Sequence, residues 1–158
     1  MESNNHLMAA QAKLQVETAR QELRACNETT AQYGLSLSEP DIQELVSCRV
    51  KSLRDSGRVE FGSGILPKLI QAFCDSPYVS QENYKDLLVE LQDAFYYFKN
   101  ESMDRFSDDE LIEFMAKVFN GRAQGSVEYL TETSLEDLCR YAREGWDPYD
   151  ADKAGDQF

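Results

Sequence analysis

The residues best suited to chemistry lie between Arg49 and Lys68, where the run RVEFGSGILPK sets Gly62, Ser63 and Gly64 directly before a helix-forming stretch. A turn of this kind exposes backbone N–H groups, and with the positive end of a helix behind them they attract an anion. Lys68 falls on the first turn of that helix, and Arg49, Lys51, Arg54 and Arg58 precede it. From Arg49 to Lys68 five basic and two acidic residues leave a net charge of +3. From Leu69 to Phe158 eight basic and twenty acidic residues leave −12. Arg58, Gly62, Ser63, Gly64 and Lys68 are therefore the candidate ligand-binding residues, for a phosphate or another small anionic molecule, with a catalytic role left open. The spacing G-x-x-x-x-G-K-[ST] of a nucleotide-binding loop is absent. The competing reading, which we favour, is structural: a tight turn lets a buried helix approach, and its charges pair with the acidic remainder.

Other chemistry lacks parts. The single histidine, His6, sits in a polar N-terminal stretch, so Ser-His and Cys-His nucleophilic arrangements have no base. DRFSDDELIEFM superficially resembles a calcium loop, but placing Glu110 at position 12 puts Lys99 at position 1 and Asp104 at position 6, where an acidic ligand and a glycine are required. Ser107 with Glu110 is better read as a helix capping box. Glu110 and Glu113, or Glu128, Glu132 and Glu136, share helix faces, yet the Glu-x-x-His pairs of di-iron bundles are missing. No metal site, cofactor or catalytic residue is expected.

A formal net charge of −13 argues against direct nucleic-acid binding, which needs clustered Lys and Arg. It suits a binder of basic partners, or an acidic mimic of nucleic acid. Cys26, Cys48, Cys74 and Cys139 form no C-x-x-C pair and are expected as buried free thiols. The N-terminal MESNNHLMAAQAKLQ lacks the charge and apolar pattern of a signal peptide, and no apolar run approaches bilayer length. A cytoplasmic protein without membrane contact is the expectation.

The elements that must position these residues are helices. Ser80 to Gly121 reads as a long aromatic-rich helix, a polar turn and a second, capped helix. In the first, Tyr84, Leu87, Leu88, Leu91, Phe95 and Phe98 recur at helical spacing, while Val89, Tyr96 and Tyr97 lie off that stripe. So wide an apolar face marks a central helix packed on more than one side. Tyr96 and Tyr97 cannot both enter the same groove, since successive positions turn by about 100°; at least one of them is expected to be exposed, as an interface residue, the alternative being that the N-terminal arm covers both.

Before this helix, residues 1–35 read as a polar helical arm, loosely docked and ended by Gly34. Ser38 caps a helix that Gly57 closes, and Pro67 opens a short apolar one. After it, a final helix from about Val127 to Ala142, interrupted near Thr133, ends at Gly145. Residues 146–158 read as a disordered acidic tail. Ser80, Ser107 and Ser134 are equally spaced at 27 residues, but the apolar offsets that follow are those of any capped helix, so no repeat is inferred.

The segment GRVEFGSGILPKLIQAFCDSPYVSQENYKDLLVELQDAFYYFKNES, followed by DDELIEFMAKVFNGRAQGSVEYL, resembles an uncharacterised bacterial family of small cytoplasmic proteins, over about residues 36–145. The resemblance implies a bacterial, single-domain protein and carries no activity, cofactor or site residue with it. The sequence thus predicts one all-α domain of five or six helices over 36–145, with arm and tail. Its expected role is a non-enzymatic interaction or regulatory subunit with an unknown protein partner or a second copy of itself. A small-molecule or phosphate site at Gly62–Lys68 and an acidic nucleic-acid mimic are the alternatives.

Overall fold

The computed structural model describes residues 2–145, with side chains at residue 10 and from residue 13 onward. The tail expected at 146–158 lies outside the described residues. Within them the protein is all-α, with six helices and no strand. They are α1 (Glu2–Thr30), α2 (Glu39–Ser56), α3 (Leu66–Phe73), α4 (Tyr84–Glu101), α5 (Asp108–Asn120) and α6 (127–143).

The helix ends follow local chemistry. Ser38 Oγ accepts from the Asp41 N–H at 3.2 Å and the Asp41 carboxylate accepts from the Ser38 N–H at 3.1 Å, a reciprocal cap for α2. Ser107 and Glu110 repeat the arrangement at α5. The equally spaced serines part company here. Ser107 caps a helix, Ser80 precedes a turn closed by Asn83, and Ser134 is buried inside α6. α6 is α-helical at Val127–Tyr129 and Glu136–Arg143, and between them Leu130–Leu135 forms a π-helical turn. The interruption predicted near Thr133 is thus a widening of the helix, not a break.

α4 is the centre of the fold, packing against α2, α3, α5 and α6. The predicted stripe of Tyr84, Leu87, Leu88, Leu91, Phe95 and Phe98 is buried throughout, and Tyr96 joins it from a second side. Leu45 and Val46 of α2, Leu69 and Phe73 of α3, Leu111 and Met115 of α5, and Leu130, Leu135 and Leu138 of α6 complete the core. Phe73 meets Phe119 edge-on at 5.3 Å, joining α3 to α5.

Two expectations need correction. α1 was expected to dock loosely, but Ala19 and Leu23 have no exposure at all, and Val16 and Cys26 pack beside them. A narrow apolar stripe suffices because polar side chains complete the seam. The Asn27 amide brackets Leu37, accepting from its N–H at 2.8 Å and donating to its carbonyl at 3.0 Å, and Arg24 grips Glu39. The thiols are all free, but only Cys74 and Cys139 are buried; Cys26 and Cys48 are half-buried.

Candidate functional site

The Gly62–Ser63–Gly64 turn already holds an anion, and it comes from the chain itself. The Glu22 carboxylate on α1 accepts from the Ser63 backbone N–H at 3.1 Å and from the Ser63 hydroxyl. The same turn lies over a half-buried cluster. Arg49, 6% exposed, donates to the Gly62 carbonyl and pairs with Glu60 at 3.5 Å, and the Tyr96 hydroxyl donates to that same carboxylate oxygen. Gly64 is required for this approach: it has φ +61°, and a Cβ there would fall on Glu60 Oε1 and within 2.9 Å of Arg49 Nε.

The two cations expected beside the turn point elsewhere. Lys68 reaches across to Asp109 of α5 at 2.7 Å. Arg58 pairs with Asp104 at 2.6 Å and donates to Asn100, at the end of α4. Arg58 and Lys68 are thus each engaged with partners in other elements. Of the charges that cluster in sequence, Arg49, Arg58 and Lys68 are dispersed in space, each to an acidic neighbour.

Tyr96 and Tyr97 separate as the helical turn requires. Tyr96 is 1% exposed and Tyr97 is 52% exposed. The Tyr97 ring meets Phe98 edge-on at 4.9 Å and lines a groove of about 950 Å³ running between α2, α4 and α6. Asp55 of α2, Glu90, Asp93 and Glu101 of α4, and Glu132 and Glu136 of α6 line this groove, and among the described residues no Lys, Arg or His does. Thr131 and Glu132 enter from the π-helical turn, a feature often found where a helix serves a site. A smaller recess of about 430 Å³ shares Glu90 and Val127 with the groove and adds Asp86 and Glu128.

The electrostatics register on the tyrosine. The Glu101 charge, partial shielding of the ring and the Glu136 charge push the Tyr97 hydroxyl above its ordinary value of 10.0, with Arg143 opposing. Arg143 pairs with Glu101 at 3.2 Å, and Asp93 accepts from Ser52 at 3.2 Å. Among the described residues, no group of three or more His, Cys, Asp or Glu is arranged to hold a metal ion. The groove offers negative potential around an amphipathic ring. No described helix is long and apolar enough to cross a membrane.

Sequence reasoning reached Tyr97 but missed the groove. Glu128, Glu132 and Glu136 were legible as one helix face; the meeting of Glu132 and Glu136 with Asp55 and Asp93 required the packing of α2 and α6 on the same side of α4.

A family model described as a family of unknown function, DUF6323, matches residues 22–148. The chain belongs to this family. The match takes in the second half of α1, including Glu22 and Leu23, and runs through α6. No curated protein and no solved structure matches the chain.

Proposed function

We propose that this member of DUF6323 is a non-enzymatic interaction subunit whose acidic groove receives a Lys- and Arg-rich segment of a partner protein. The observation that carries the reading is the half-exposed Tyr97 ring set among carboxylates drawn from three helices, with no basic side chain among the described residues of the walls. Opposite charge guides a basic segment to such a groove and fixes its register. A tyrosine face adds cation–π attraction for an Arg or Lys, and tyrosine is enriched where interfaces concentrate their energy. Walls drawn from three helices suit a peptide or helix better than a small enclosed ligand. The internal engagement of Arg58, Ser63 and Lys68 speaks against the alternative reading at the Gly62–Lys68 turn.

A hexalysine peptide serves as the first probe, with backbone amide shifts as the readout. Shifts confined to the groove walls, weakened by salt, by Tyr97→Ser and by Glu132→Gln with Glu136→Gln, are the expected result. Shifts scattered over the acidic surface and indifferent to Tyr97→Ser would overturn the proposal.

A further inference from the structure

The acidic groove has a repeat built into its lining. Asn83, Leu87, Glu90, Ala94, Tyr97 and Glu101, at the start of α4 and along it, all line the groove or the smaller recess that adjoins it at Glu90 and Val127. Their intervals alternate between four and three residues, the spacing at which one helix presents a seam to another. Other faces of α4 are taken by α2, α3, α5 and α6. This one stays open, with Glu90, Asp93 and Tyr97 exposed. Leu87 and Ala94, each 7% exposed, run an apolar line along it, and the half-buried Val127 of α6 adds to them. Acid flanks that line. Asp86 and Asp93 each sit one position before an apolar seam residue, and Glu128, Glu132 and Glu136 follow one another at four-residue steps on α6.

We propose that the basic segment received here is an amphipathic α-helix of about four turns, lying along α4 with aliphatic side chains on Leu87, Ala94 and Tyr97 and Lys or Arg along its edges. The inference rests on the groove being a receptor for a basic segment, and adds the conformation and spacing of that segment. Periodicity decides between the conformations. From Leu87 to Glu101 the seam covers about 21 Å in four steps, because its positions recur every 3.5 residues, or about 5.3 Å. A partner helix has the same repeat, so its side chains meet the seam along the whole length. An extended chain sets same-face side chains about 6.7 Å apart and makes only about three steps over that distance. It slips by a full position from one end to the other. Ala94, mid-seam, has the small side chain that lets two helix axes approach closely. The carboxylates beside the seam then face the edges of the incoming helix, where opposite charges fix partner and orientation. A second copy of the chain is a poor occupant, since it brings a net charge of −13 to acidic walls.

The test titrates two peptides of about sixteen residues, long enough for four turns, into the intact chain. The first is built of Leu, Ala and Lys, with Leu at alternating three- and four-residue intervals and Lys on both edges of that stripe. The second is identical except that two central Ala are Pro, which keeps the charges and breaks the helix. The expected result is that the Pro peptide binds at least roughly tenfold more weakly. Amide shifts with the first peptide should run from Leu87 to Glu101, and the bound peptide should show helical NOEs. Equal affinity for the two peptides, or a bound first peptide without helical NOEs, would overturn the helical occupant. The reading of the groove as a receptor for a basic segment would survive that result, because hexalysine tests it separately. No binding of the first peptide would overturn the helical occupant as well, and a silent hexalysine titration beside it would remove the receptor too.

Discussion

Glu22 of α1 and Ser63 of the Gly-Ser-Gly turn lie 41 residues apart and form one anion–receptor pair, with the carboxylate taking both the backbone N–H and the hydroxyl of the serine. The turn is built as the sequence suggests, with donors converging ahead of a helix. Its anion is a side chain, and the contact ties α1 to the start of α3.

Glu22→Ala should loosen that tie and cost about 1.5–3 kcal/mol, the range for hydrogen bonds to a charged group. The vacated donors should then respond to inorganic phosphate, with amide shifts at Ser63 and Gly64 in the variant and none in the natural protein. Equal shifts in both would show that phosphate displaces the carboxylate and would restore the turn as a ligand site.

Gly64→Ala should be far costlier than Gly57→Ala. Both residues have positive φ, but nothing lies within 4 Å of a Cβ at Gly57, whereas at Gly64 it would collide with Glu60 and Arg49. Gly57→Ala should cost about 1–2 kcal/mol, the backbone term alone. Gly64→Ala adds displacement of a half-buried ion pair, and urea denaturation should place it several kcal/mol lower still. Equal losses would mean that the Arg49–Glu60–Tyr96 cluster moves aside freely.

Leu91, fully buried at the middle of α4, should lose about 2–5 kcal/mol on conversion to Ala, through lost transfer energy plus the cavity left behind. A loss below about 1 kcal/mol in thermal or urea unfolding would contradict its place at the centre of the core.

Stability should decline on the alkaline side. Burial, then donation to Glu60, pushes the Tyr96 hydroxyl above its ordinary 10.0, and burial pushes the Cys139 thiol from 9.0 up to about 12. In both cases the unfolded chain releases its proton first. The contribution is therefore complete below the unfolded values and is lost as pH rises through the folded ones, from about 9 to beyond 12. Tyr96→Phe should be less stable at neutral pH, having lost the bond to Glu60, yet show a shallower alkaline decline. An unchanged slope in urea titrations across that range would exclude Tyr96 from the effect.

Much of the fold was legible because helices declare themselves locally. The spacing of Tyr84, Leu87, Leu88, Leu91, Phe95 and Phe98, the Ser107–Glu110 box and the Ser38 cap each depend on residues within a few positions of one another. The same local geometry required Tyr96 and Tyr97 to diverge, because adjacent helical positions cannot share a groove. What the sequence left open was settled by contacts between distant segments. Whether Arg58 and Lys68 converge on the Gly62 turn depends on where Asp104 and Asp109 stand, and packing sends each cation to its own acid. Glu22 reads as one more charge on a polar helix until α1 docks against α3. The carboxylates around Tyr97 come from three helices, and periodicity within any one of them cannot report that they face each other. Periodicity specifies which face of a helix is buried; only the packing of α2 and α6 on α4 decides which charges then meet across a groove.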